Sequence, residues 1–110
     1  MVVGEPYWQQ EPPAEYLEAI GEKRSVYGTH YENMKVGQEL GLKLVYTLVS
    51  NHDDWDGYEG LQWYAADKWA IENPDDADVE EVLKRISEDR ENYLRWGRET
   101  LGWAIYMFKK

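Results

Sequence analysis

The sequence predicts a small α/β fold: a three-stranded mixed sheet in the order first-last-middle, the last strand antiparallel, with about four helices. Three observations point to it. Leu42–Ser50 (LKLVYTLVS) is a strand-like apolar run that ends abruptly in Asn51-His52-Asp53-Asp54-Trp55-Asp56-Gly57-Tyr58. Thr29-His30-Tyr31-Glu32 and Asp78-Val79-Glu80-Glu81 have the spacing of helix-start signals. Trp103–Phe108 is a second unbroken apolar run, close to the C-terminus.

The elements follow in order. Met1 to Trp8 begins with apolar residues and reads as a short first strand, Val2–Glu5, stopped by Pro6. Glu11-Pro12-Pro13 opens a helix, since proline is tolerated where its missing N–H has no partner. Tyr16, Leu17 and Ile20 share one face of it and Gly21 ends it, with a loop over 22–28. From the Thr29 capping box a second helix should run to Leu40, with Gly41 as its left-handed cap. Leu42–Ser50 is the middle strand, apolar on both faces as a central or covered strand would be.

From about Asp54, Tyr58, Leu61, Ala65 and Trp69 recur at helical spacing until Asn73-Pro74. Behind Asp78, the residues Val79, Val82, Leu83, Ile86, Tyr93 and Leu94 mark one stripe of a long helix to about Gly97. Trp103–Phe108 then forms the last strand. A fully apolar terminal strand calls for neighbours on both sides. A right-handed crossover between the first two strands leaves a strand-wide gap that the last can fill antiparallel.

Composition narrows the function classes. A chain of 110 residues makes one domain, 1–110. Its net charge of −10 argues against nucleic acid and anionic membranes as partners. No apolar run is long enough to span a bilayer, and no signal-type segment opens the sequence, so a soluble, cytoplasmic protein is expected. With no Cys, thiolate metal sites and thiol nucleophiles are excluded. Six Trp and nine Tyr against one Phe give most rings a polar handle, suited to pocket walls or to a small core.

The motifs taken together resemble a known family. A strand ending in Glu5-Pro6-Tyr7-Trp8 has Pro12-Pro13 behind it. A helix, the Gly41-Leu42 strand and an insert opening Trp55-x-x-Tyr58 follow. Two helices then lead into Leu101-Gly102-Trp103-Ala104-Ile105-Tyr106-Met107-Phe108-Lys109-Lys110. This is similar to the C-terminal half of a class I S-adenosylmethionine-dependent methyltransferase, over essentially the whole chain. The resemblance implies a Rossmann-like sheet whose seventh strand lies antiparallel between the fifth and sixth. It also implies a substrate-side portion of the fold.

That family holds its cofactor with a glycine-rich turn after the first strand and an acidic residue ending the second. Gly4, Gly37, Gly41, Gly57 and Gly60 form no such cluster after a strand. S-adenosylmethionine is thus implied for the full-length family, and none is expected to bind this chain alone. The implied partners are a small-molecule methyl acceptor and either an N-terminal cofactor-binding half or a second copy through the exposed edge of the first strand. A non-enzymatic binding or assembly module is the alternative.

Candidate acceptor-site residues are Tyr7, Trp8, His30, Trp55 and Tyr58. Tyr7 and Trp8 follow the first strand and Trp55 and Tyr58 the middle one, so all should gather at the strand ends where such sheets bind ligands. The other reading is that these rings only cover the ends of the sheet. His30 and His52 are either bases near neutrality or exposed loop histidines. Glu5 either orients a substrate amine or is solvated. His52, Asp53, Asp54 and Asp56 fit no EF-hand spacing, and helix capping accounts for the three acids. No Ser sits in a Gly-x-Ser-x-Gly setting.

Overall fold

A computed structural model describes all 110 residues, which divide into two compact units. Unit 1 comprises 1–50 and 99–110; unit 2 comprises 51–98.

Unit 1 is the sheet and its helices. Strands β1 (Val2–Trp8), β2 (Lys43–Val49) and β3 (Leu101–Lys109) are ordered β1-β3-β2, with both ladders antiparallel to β3. The first-last-middle order anticipated from sequence is the one observed. β1 runs through Pro6, which pairs with Trp103, and ends at Trp8. The expected stop at Pro6 is therefore corrected. β1 is an edge strand here, and an edge tolerates a residue without an N–H on its open side.

β2 is likewise an edge, with Val45, Tyr46, Leu48 and Val49 exposed, rather than the covered position its composition suggested. Its register slips between Leu44 and Tyr46, a bulge that breaks strict alternation. In β3 the even-numbered residues are the buried ones, so the strand has one covered face. Tyr7, Ala104, Tyr106 and Phe108 form the core there, flanked by Leu42 and Leu44.

Helix α1 (Ala14–Ile20) starts at Pro13 and ends at Gly21, whose φ of 70° lets its N–H reach back to Glu18 and Leu17. Helix α2 (His30–Glu39) starts with the expected reciprocal capping box, Thr29 Oγ1 accepting from Glu32 N and Glu32 Oε1 accepting from Thr29 N, both at 3.1 Å. It lies against the core through Gly37. A Cβ on Gly37 would run into the edge of the Phe108 ring.

Unit 2 is a helical hairpin of α3 (His52–Glu72) and α4 (Val79–Asn92). A π turn at Tyr93–Gly97 follows, and a last α turn at Arg98–Thr100 leads back to unit 1. α3 starts at Asn51, whose side chain accepts from Asp54 N at 2.8 Å while Asp54 reaches back. So Asp54 does belong to a helix cap, but Asp56 does not.

The inward stripe of α3 runs through Trp55, Asp56, Glu59, Trp63, Ala66 and Ala70. Of the expected apolar series, Trp69 lies on this inner face, while Tyr58, Leu61 and Ala65 face solvent, with Leu61 70% exposed. Two acids on the true inner face disguised its period. In α4 the stripe is Val79, Val82, Ile86 and on to Tyr93, while Leu83 and Leu94 are exposed. Asp78 makes no side-chain cap, correcting that signal: its backbone is already helical, and its N–H goes to Asp76 Oδ1 at 2.8 Å.

Candidate functional site

The C-terminal end of β1 is built around Trp8. Its indole is 3% exposed and donates to Arg24 O at 2.9 Å, and Trp8 N donates to Gly28 O at 2.9 Å. Tyr16 and Tyr27 meet the indole edge-on at 6.4 and 5.4 Å. Arg24 in turn donates to Glu11 Oε1 at 2.9 Å and to Tyr27 O at 3.2 Å. Trp8 thus pins the 24–28 connection against β1, and a bridge from Trp8 to Thr29 sets α2's first turn beside the strand end. Its ring is a support within unit 1.

This places His30 next to Tyr7. Their ring centroids are 5.1 Å apart, and the Tyr106 ring lies 5.1 Å from His30 as well. Tyr106 Oη is 2.7 Å from His30 Nδ1. Asn33, one turn along α2, donates from the same amide nitrogen to Pro6 O at 3.1 Å and to Tyr106 Oη at 3.2 Å. Burial raises the Tyr7 and Tyr106 hydroxyl pKa values above the ordinary phenol, so both stay protonated at neutral pH. The structure therefore brings Tyr7 and His30 together and adds Tyr106 and Asn33. Sequence reasoning missed those two. The signals for them were the even-numbered face of β3 and the i,i+3 spacing of Asn33 from His30.

In unit 2, Trp55 and Tyr58 pair edge-to-face at 6.2 Å. Tyr58 is 64% exposed, while the Trp55 Nε1–H is buried and without a hydrogen-bond partner. One residue on, Asp56 accepts from Tyr93 Oη at 2.7 Å and Arg98 Nε at 2.9 Å on Oδ1, and from an Arg98 terminal nitrogen at 3.1 Å on Oδ2. In an α-helix residues five apart point about 140° away from each other. The π turn, closed by Arg98 N to Tyr93 O, brings both side chains to one carboxylate.

Hydrogen bonds from Arg98 and Tyr93 hold the Asp56 pKa below the usual carboxylate range. Desolvation and the Asp56 bond push the Tyr93 hydroxyl far up. Desolvation and then Asp89 raise Glu59 on the same face of α3. Asp54 and Asp56 thus have separate structural tasks, and no three His, Asp or Glu side chains gather as metal ligands.

No established family profile matches the chain. YjhP of Escherichia coli, an uncharacterized protein, is 31% identical over 108 residues, spanning 96% of this chain and 44% of YjhP. The crystal structure of YjhP superposes with a TM-score of 0.91 at 30% identity, over 98% of this chain and 48% of that one. Two S-adenosylmethionine-dependent methyltransferases solved with S-adenosyl-L-homocysteine, from Geobacter sulfurreducens and Thiobacillus denitrificans, each give 0.89 at 29% identity, over 98% of this chain and 44% of theirs. No helix of the chain is long and apolar enough to cross a membrane. The chain thus spans just under half the length of its relatives and has the fold of part of an S-adenosylmethionine-dependent methyltransferase, consistent with the C-terminal half of the class I enzymes.

Proposed function

We propose that this chain is the acceptor-side portion of a cytoplasmic S-adenosylmethionine-dependent methyltransferase, working with a cofactor-binding half that these 110 residues do not supply. The observation that carries the reading is the sheet. Its order β1-β3-β2, with β3 antiparallel to both neighbours, extends to a match over 98% of the chain with methyltransferases bound to S-adenosyl-L-homocysteine. Neither strand–helix turn, after Trp8 or after Val49, contains the glycines that let a backbone approach a cofactor.

On this reading the acceptor is a small molecule. Tyr7 and His30 contact it from unit 1, with Trp8 holding their connection in place. In unit 2, Trp55 and Tyr58 are a separate candidate ring pair, whose unpartnered Trp55 N–H favours a ligand carrying a hydrogen-bonding oxygen or nitrogen. The protein's part is to position acceptor against methyl donor, which supplies most of what such a transfer needs.

The test joins this chain to the part of the Geobacter enzyme that it does not match, in place of the matching segment. Binding of S-adenosylhomocysteine by the joined protein, and not by the chain alone, supports the proposal. Equal binding by the chain alone sinks it.

The exposed apolar side chains of β2 favour a second reading, assembly with another copy through a sheet edge. Light scattering that finds only monomer at high concentration removes it.

A further inference from the structure

The buried end of the Asn33–Tyr106–His30 chain determines where its protons sit. Pro6 O can only accept, so the Asn33 atom facing it at 3.1 Å is the amide nitrogen; a flipped amide would set two oxygens against each other. That nitrogen's second hydrogen goes to Tyr106 Oη at 3.2 Å. Tyr106 is 1% exposed, so its own hydroxyl hydrogen needs a protein acceptor. The ring nitrogen His30 Nδ1 at 2.7 Å is the acceptor in reach. In the neutral ring this makes Nδ1 the acceptor and puts the proton on Nε2.

His30 itself is half-buried, its ring flanked by Tyr7 and Tyr106, and Nε2 has no partner in the protein. The ring stands at the first turn of α2, beside the C-terminal end of β1. Open α/β sheets bind their ligands at that end.

We infer that His30 serves this site as a fixed hydrogen-bond donor, presenting Nε2–H to a carboxylate or carbonyl oxygen of the methyl acceptor, and not as its base. Tyr106 and Asn33 are positioning residues that select the tautomer and lock the ring. The ligand half of this inference rests on the proposed function; the tautomer half does not.

The tautomer is measured on the chain itself by long-range proton–nitrogen NMR of the imidazoles, at a pH of about 8.5, above the ordinary imidazole pKa of about 6.5. The chain has two His, so a His52→Gln variant assigns the signals. The expected spectrum shows His30 wholly Nε2-protonated, with Nδ1 in the range of a hydrogen-bonded acceptor. A Nδ1-protonated ring, or the mixture of tautomers that a free imidazole shows, overturns the inference.

In a methyl-transfer assay of the enzyme carrying this chain, His30→Gln retains an N–H donor, and activity should stay within about tenfold of the parent. His30→Asp, which offers only a base, should lose more. A loss of about a hundredfold or greater for His30→Gln, with His30→Asp the better of the two, marks a base and overturns the role. If even the parent transfers no methyl group, the proposed function falls while the NMR result still decides the tautomer.

Discussion

Arg98 grips both carboxylate oxygens of Asp56, Nε on Oδ1 at 2.9 Å and a terminal nitrogen on Oδ2 at 3.1 Å. The fork tolerates no amide in place of the carboxylate. Because the folded-state pKa of Asp56 lies below its ordinary 3.8, the pair stabilises unit 2 above that pH, and the contribution is lost as pH falls through the folded value. Asp56→Asn should lower the thermal midpoint at pH 7, and the gap to the parent should narrow steadily as pH falls below 3.8. A gap that persists in acid would show that the effect is not ionic.

Glu59 has the opposite sign. Burial and Asp89 raise its pKa above 4.5, so its ionised form weakens the fold, and stability falls as pH rises from 4.5 through the folded value. Glu59→Gln should therefore be the more stable protein at pH 7 and indistinguishable from the parent at pH about 4 and below. Thermal melts across that range check it.

Two glycines inside helices should respond oppositely to Ala. Gly37→Ala drives a Cβ into the Phe108 ring, so overpacking of about 1–3 kcal/mol outweighs a helix-propensity gain of up to about 1 kcal/mol. Gly57 has nothing within 4 Å of the new carbon, and Gly57→Ala should stabilise by about 0.5–1 kcal/mol. Urea unfolding of both variants gives the comparison.

Tyr106→Phe removes a hydroxyl that bonds His30 and Asn33 in a 1%-exposed position. It should destabilise by about 1–3 kcal/mol, since two polar groups lose a buried partner. Asn33→Ala should cost a comparable amount, and the double variant less than the sum, because the residues share one network. A strictly additive double variant would mean that the two act independently.

The sheet was legible in the sequence because its evidence is local and redundant. Lys43–Val49 and Leu101–Lys109 are apolar and β-branched or aromatic, and one crossover rule orders them. The capping boxes at Thr29 and Asn51 were also within reach, the second hidden only by a start placed at Asp54. The inner face of α3 was not legible. Asp56 and Glu59 face inward there, and Asp56 does so because Arg98 arrives from 42 residues away. The same holds for the site: Tyr7 and His30 were nominated by their places at element ends, but Tyr106 enters from β3, a strand whose register no local pattern specifies.

The most direct test of the central claim is isothermal titration of S-adenosylhomocysteine into these 110 residues. An acceptor-side portion without a glycine-rich turn should give no saturable heat. Stoichiometric, tight binding by the chain alone would contradict the account, because it would place a complete cofactor site within 1–110.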